Sequence, residues 1–265
     1  MKKVFHILVY IFAAIGFILV FVYLAVEFGW TNTEGIVDEQ RDYFQEQLEK
    51  NDLEWTKGEE WQILKEAILK DQEAIEKVAK ETGIPSRLIV APLVVEQLRL
   101  FHSEREIFKS IFAPLKILGN QSQFSWGVMG IKQETARKIE NNLKNPDSPW
   151  YLGKKYEKIL DFTTNNPDNE RFLRLTDEDN RYYSYLYSAI LIKQLETQWE
   201  KVGFPIHNRP GIVATLFNIG FANSKPHNSP QLGGAEIEIN KTTYSFGGLA
   251  QSFYDSNELV EEFPR

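Results

Sequence analysis

Residues 84–100 read IPSRLIVAPLVVEQLRL, an apolar run opened by Pro85, with Ser86 as its N-cap or first-turn residue. A run this apolar predicts a core helix, which other elements must surround. Glu96 stands near its end. Carboxylates are almost never fully buried unless paired, because stripping water from one is costly. Two readings follow. In the first, Glu96 is structural, facing solvent or pairing with Arg99 or Arg87. In the second, the helix reaches a cleft, and apolar neighbours keep Glu96 protonated so that it can donate a proton near neutral pH.

The remaining pattern supplies helices to surround that run. From Glu59, Trp61, Leu64, Ile68, Ile75 and Val78 recur at helical spacing, and TGIP from Thr82 ends the run. Residues 102–123 read as a short helix and loop. A helix is predicted from Gln133 to about Asn141, then Pro- and Asn-rich loops at 145–153 and 163–169. Residues 182–202 form a long helix stopped by Gly203, Phe204 and Pro205, and 209–220 another, opened by Pro210 and closed by Gly220. The tail carries GGAEIEI and TTYSFGG, at most a short hairpin, then a helix near 249–254. The fold class expected is mainly α, one helical domain over residues 59–265.

Ahead of it lies VFHILVYIFAAIGFILVFVYLAV, residues 4–26, which carries no Lys, Arg, Asp or Glu and is long enough to cross a bilayer as a helix. Lys2 and Lys3 would also suit a signal peptide, but the block is long for an h-region and VEFGW offers no small-x-small cleavage pattern. Residues 1–30 are therefore expected to be a cytoplasmic tip and transmembrane anchor. The basic flank precedes the span and Glu27, Glu34, Asp38 and Glu39 follow it, which keeps the N-terminus in the cytoplasm and exports the rest. Residues 31–58 read as a polar stalk, with an amphipathic helix possible in sequence terms at 38–48.

Composition narrows the chemistry. With 265 residues, 43% hydrophobic and 13% aromatic, the chain can bury one substantial core. It has no cysteine, so neither disulfides nor thiolate chemistry is open to it. A net charge of -7 argues against a nucleic-acid partner. The 4 histidines show no HxxxH or HxH spacing, so no metal site is expected. A nucleophile elbow and a Gly-rich phosphate loop are also missing, and no cofactor is expected. Acid catalysis by a carboxylate is the chemistry that remains.

Three segments now stand in order: TGIPSRLIVAPLVVEQ, SWGVMGIKQETA and ATLFNIG. Together, over residues 74–230, they resemble the lysozyme-like superfamily of lytic transglycosylases and goose-type lysozymes. The resemblance makes Glu96 the catalytic glutamate. It assigns Ser125, Gly127, Val128, Met129 and Ile131, followed by Thr135 and Ala136, to the segment lining the sugar cleft, with Trp126 able to stack on a sugar ring. It matches Ala214, Phe217, Asn218 and Gly220 to the helix end facing the glutamate. The substrate implied is the glycan strand of peptidoglycan, with Ser125, Trp126, Gly127, Met129, Phe217 and Asn218 as binding residues. Three positions depart from the family pattern: Gln97 replaces a serine, Gly130 a glutamine and Phe217 a tyrosine, each removing or changing a hydrogen-bonding group. Lytic transglycosylases need no second carboxylate, because the C6 hydroxyl of the substrate attacks; a hydrolase would need one, and Glu104 and Glu106 are nearest in sequence.

Overall fold

The computed structural model describes residues 16, 17, 20, 53–102 and 125–265. The chain divides into two units, Met1–Glu34 and Gly35–Arg265. Of the first, Gly16, Phe17 and Val20 are described; all are helical, and Phe17 and Val20 are 73% and 58% exposed. The rest of the expected anchor, the helix at 38–48 and residues 103–124, with Glu104 and Glu106, lie outside the described residues. No described helix is long and apolar enough to cross a membrane.

The second unit is mainly helical. Its elements are α1 (Glu59–Lys70), α2 (Gln72–Thr82), α3 (Ser86–His102), the short strands β1 (Ser125–Trp126) and β2 (Ile131–Lys132), and α4 (Gln133–Lys144). After these come α5 (Pro167–Thr176), α6 (Tyr182–Lys201), α7 (Pro210–Ile219), β3 (Glu236–Ile239), β4 (Thr242–Ser245) and α8 (Phe246–Asp255). Each strand pair is an antiparallel two-stranded ribbon, β1 with β2 and β3 with β4.

Helix α3 is the axis of this unit. Every residue from Arg87 to Glu96 is buried, and α1, α2, α6, α7, α8 and β3 all pack against it. That is the arrangement an all-round apolar helix requires. Pro92 lies inside α3, where its ring removes one backbone donor. Around it, α6 contributes Tyr187, Ile190, Leu195 and Trp199 to the core, and α8 contributes Phe246, Leu249 and Phe253.

Two elements differ from the sequence expectation for tertiary reasons. The apolar period runs unbroken from Trp61 to Val78, yet the helix breaks at Asp71 into α1 and α2. The Asp71 carboxylate accepts from the Tyr185 hydroxyl at 2.5 Å and from Arg181 at 3.0 Å, so α6 holds the break. Helix α5 starts inside the predicted loop at 163–169: Pro167 occupies the first turn, and Asn166 caps it by accepting from the Asn169 N–H at 3.2 Å.

The core also takes in Trp55, from the stretch read as stalk. It is 1% exposed, packs edge-on against Trp61 at 4.9 Å between ring centroids, and donates its indole N–H to Ser252 at 3.0 Å. The packed body therefore begins before Glu59.

Candidate functional site

Glu96 lies near the C-terminal end of α3 and is 3% exposed. Three residues further on, and hence on the same helix face, Arg99 donates from Nη2 to both carboxylate oxygens, at 2.5 and 2.7 Å. Of the two arginines the sequence offered as partners, it is Arg99 that takes the role. The Arg99 side chain is 20% exposed, and its Nε is buried with no hydrogen-bond partner.

The β1–β2 ribbon meets the same end of α3. Ser125 pairs with Lys132 and Trp126 with Ile131, leaving residues 127–130 as the turn. Gly127 and Gly130 both have positive φ, +63° and +62°, a conformation that penalises any residue with a Cβ. Both also make contacts that leave no room for one. A methyl group on Gly127 would overlap the Leu175 carbonyl oxygen and lie 2.7 Å from Ser184 Oγ. On Gly130 it would overlap the Glu96 carboxylate, lying 2.6 Å from Cδ. The turn is thus wedged between Glu96 and the α5–α6 side of the fold. Gln97 fastens it, its side-chain amide donating to the Val128 carbonyl at 2.5 Å. Met129 points into the core and is 1% exposed. Two of the positions that depart from the family pattern, Gln97 and Gly130, are the ones that bring this turn onto the glutamate. The sequence showed them as losses, because a spacing carries no information about backbone approach.

The third segment serves another junction. Asn218 Oδ1 accepts the Ala235 N–H at 2.9 Å, and Phe217, half-buried, stacks on Phe246 with ring centroids 6.4 Å apart. Both tie the end of α7 to the 233–235 loop and to α8. Gly220 ends the helix at φ +75°, its N–H returning to the Leu216 carbonyl at 2.8 Å. Helix α7 packs on α3, but the Asn218 oxygen is committed to the loop.

Sequence reading missed two polar centres. Arg87, fully buried, donates to the carbonyls of Phe253, Tyr254, Ser256, Glu258 and Phe263, at 2.7 to 3.1 Å. It thereby clamps the C-terminal segment to α3, and burial pulls its pKa below the usual arginine value. The second centre joins α4, α5 and α6. Arg171 forks onto Glu140 through Nε and Nη2, both at 2.6 Å, and Tyr187 donates to Glu140 at 2.6 Å. Burial raises the Tyr187 pKa, keeping its hydroxyl protonated and able to donate. Charged residues two or three elements apart carry no shared periodicity, so nothing in the sequence linked them. Among the described residues no group of three or more His, Asp or Glu side chains is placed to hold a metal ion.

No protein-family model, no curated protein and no solved structure compared with the chain matches it.

Proposed function

We propose that this chain is a membrane-anchored enzyme of lysozyme-like fold that cleaves the glycan strands of peptidoglycan as a lytic transglycosylase, with Glu96 acting as acid and then base. The observation that carries the reading is the seating of the 127–130 turn on Glu96, with Gly130 against its carboxylate and Gln97 bonded to the Val128 carbonyl. Two of the three segments that carry the resemblance therefore converge on one carboxylate. In this reading Glu96 protonates the glycosidic oxygen. It then accepts the proton of the C6 hydroxyl, which closes onto the anomeric carbon to give a 1,6-anhydro end. Residues 4–26 anchor the chain, with the N-terminus in the cytoplasm and the helical unit on the side of the membrane where the glycan lies. Peptidoglycan and the membrane are the partners; the acidic chain has none among nucleic acids.

A second reading is a catalytically inactive lysozyme-like module that binds glycan or scaffolds an envelope complex. Two observations favour it: Arg99 holds both Glu96 oxygens, and the Asn218 oxygen is spent on Ala235. Incubation of the detergent-solubilised full chain with peptidoglycan separates the two. Anhydro-muropeptides support the transglycosylase, new reducing ends support a hydrolase, and binding without products supports the inactive module. Full activity in Glu96→Gln would remove the acid assignment.

A further inference from the structure

Helix α6 ends on an apolar tip. Val202, Gly203, Phe204 and Pro205 are all exposed, Val202 by 56% and Phe204 by 36%. The tip is held in one shape. Gly203, at φ +85°, donates its N–H to the Glu200 carbonyl at 2.9 Å, and the Phe204 N–H returns to the Trp199 carbonyl at 3.0 Å. Such a cap is usually accompanied by packing of the residue after the glycine back onto its helix, yet here that residue, Phe204, keeps much of its ring in solvent. The loop at 149–151 lies beside the tip, because Lys201 Nζ donates to the carbonyls of Pro149 and Tyr151 at 3.0 and 3.2 Å. It brings two aromatics with polar edges, Trp150 and Tyr151, both half-buried. Lys201 is thus held by neutral carbonyls, and Lys154 and Lys155, just beyond Tyr151, are exposed; among the described residues none of the three forms an ion pair.

We propose that this patch docks on the bilayer surface: Val202 and Phe204 enter the boundary between headgroups and acyl chains, Trp150 and Tyr151 lie at headgroup level, and Lys154, Lys155 and Lys201 meet lipid phosphates. This rests on the reading of residues 4–26 as an anchor. Apolar side chains flanked by aromatics with a polar edge and by lysines are what a membrane interface selects. A protein partner is served less well, because lysine is depleted at protein interfaces. The tether supplies the rest. Residues 27–52 separate the apolar span from the first described residue of the packed body, a length that reaches at most about 90 Å when fully extended, so the patch searches a small volume next to the bilayer. Contact within that volume is intramolecular, and a small apolar foothold is enough to hold it. The net charge of -7 gives the chain no general attraction to anionic lipid, so the attraction is local to these lysines. A docked unit has one orientation to the bilayer, where a merely tethered one has many.

The chain has no cysteine, so Val202→Cys gives a single site for an environment-sensitive fluorophore in the full chain, reconstituted into vesicles of phosphatidylcholine and phosphatidylglycerol. Leu173→Cys is the matched control. Leu173 is 57% exposed on α5, which meets α6 at Ser184, about 27 Å along the helix from Val202. Quenching by a nitroxide-bearing lipid should be at least about threefold stronger at position 202 than at 173. Phe204→Ser should bring it down to the level of the control, and Lys154→Gln with Lys155→Gln should weaken it. Equal quenching at the two positions, or quenching at 202 that survives either change, overturns the proposal. So does a probe at 202 that becomes shielded in detergent as protein concentration rises, which would make the patch a contact between copies. If the Phe204→Ser protein does not fold, the ratio between the two positions decides. The anchor is read separately: release of the chain from the vesicles by alkaline extraction would sink the anchor, whereas an anchored chain with equal quenching sinks the docking alone.

Discussion

Glu140 and Glu96 are both buried glutamates held by an arginine, and they are held differently. Arg171 meets Glu140 with two nitrogens, gives a third to Asp168 at 2.5 Å, and is itself 4% exposed; the Tyr187 hydroxyl adds a further donor. Arg99 meets Glu96 with one nitrogen, leaves Nε idle and keeps a fifth of its side chain in solvent. An ion pair whose arginine is fully used and sealed is a fixed part of the scaffold, because opening it strands buried charge. One whose arginine keeps an unused donor and a partly exposed side chain is not sealed in that way. The contrast separates a structural carboxylate from a candidate functional one where sequence sees two glutamates in amphipathic or apolar helices.

The largest expected effect divides the two sites by kind. Glu96→Gln should lower glycan cleavage on the order of 100- to 10,000-fold while leaving the circular dichroism spectrum intact, since the amide keeps the shape but cannot donate a proton. Muropeptide release by chromatography measures this, and equal cleavage would end the distinction. Glu140→Gln should act on folding instead. It takes from the buried Arg171 its buried counter-charge and leaves it the exposed Asp168, a loss of about 3 kcal/mol by urea denaturation. A loss below about 1 kcal/mol would mean that the Glu140 network is dispensable.

A smaller effect tests the turn wedged against Glu96. Gly130→Ala forces a Cβ into a positive-φ site against the Glu96 carboxylate, and should cost about 1–3 kcal/mol and lower activity with it. Unchanged stability and activity would show that the turn yields.

Smaller still are two effects of pH. Burial alone would raise the Glu170 pKa, but the N–H groups of Thr163 and Thr164 and the Arg174 guanidinium outweigh it and hold the carboxyl at about 2. Between its unfolded value and about 2 the unfolded chain binds the extra proton, so stability falls as pH falls through that window. Glu170→Gln should flatten the acid limb of a thermal-melt pH series. Glu196 is shifted the other way, to about 6, by burial, partly offset by Lys193 and His207. Here the folded state binds the extra proton, so stability falls as pH rises from about 4.5 to about 6. Glu196→Gln should melt slightly higher than wild type above that pH, by about 1 kcal/mol or less. A lower melting point there would show that the charged carboxylate is stabilising.

The parts of the fold legible in the sequence are those with a local cause. The apolar run at 84–100 became α3, and the helices expected at 182–202 and 209–220 became α6 and α7, ending where Gly203 and Gly220 stand. The alternation in GGAEIEI and TTYS became the β3–β4 ribbon, although Phe246 and the glycines after it open α8. Elements with a distant cause were not legible. The break at Asp71 depends on Tyr185 and Arg181, the burial of Trp55 on Ser252 and Trp61, and the role of Arg87 on carbonyls near the C-terminus. The site divides in the same way. Glu96 was conspicuous as a charge in an apolar run; its partner was one of two candidates, and the close approach of Gly130 was not foreseeable from a residue that lacks a side chain.

The sequence by itself determined a mainly helical unit built around residues 84–100, because apolar periodicity, caps and stops act within one helix. The tertiary structure decided which charges are paired and which glycines touch them. Those contacts form between residues far apart in the chain, where burial and hydrogen-bond geometry, rather than spacing, determine what a carboxylate can do.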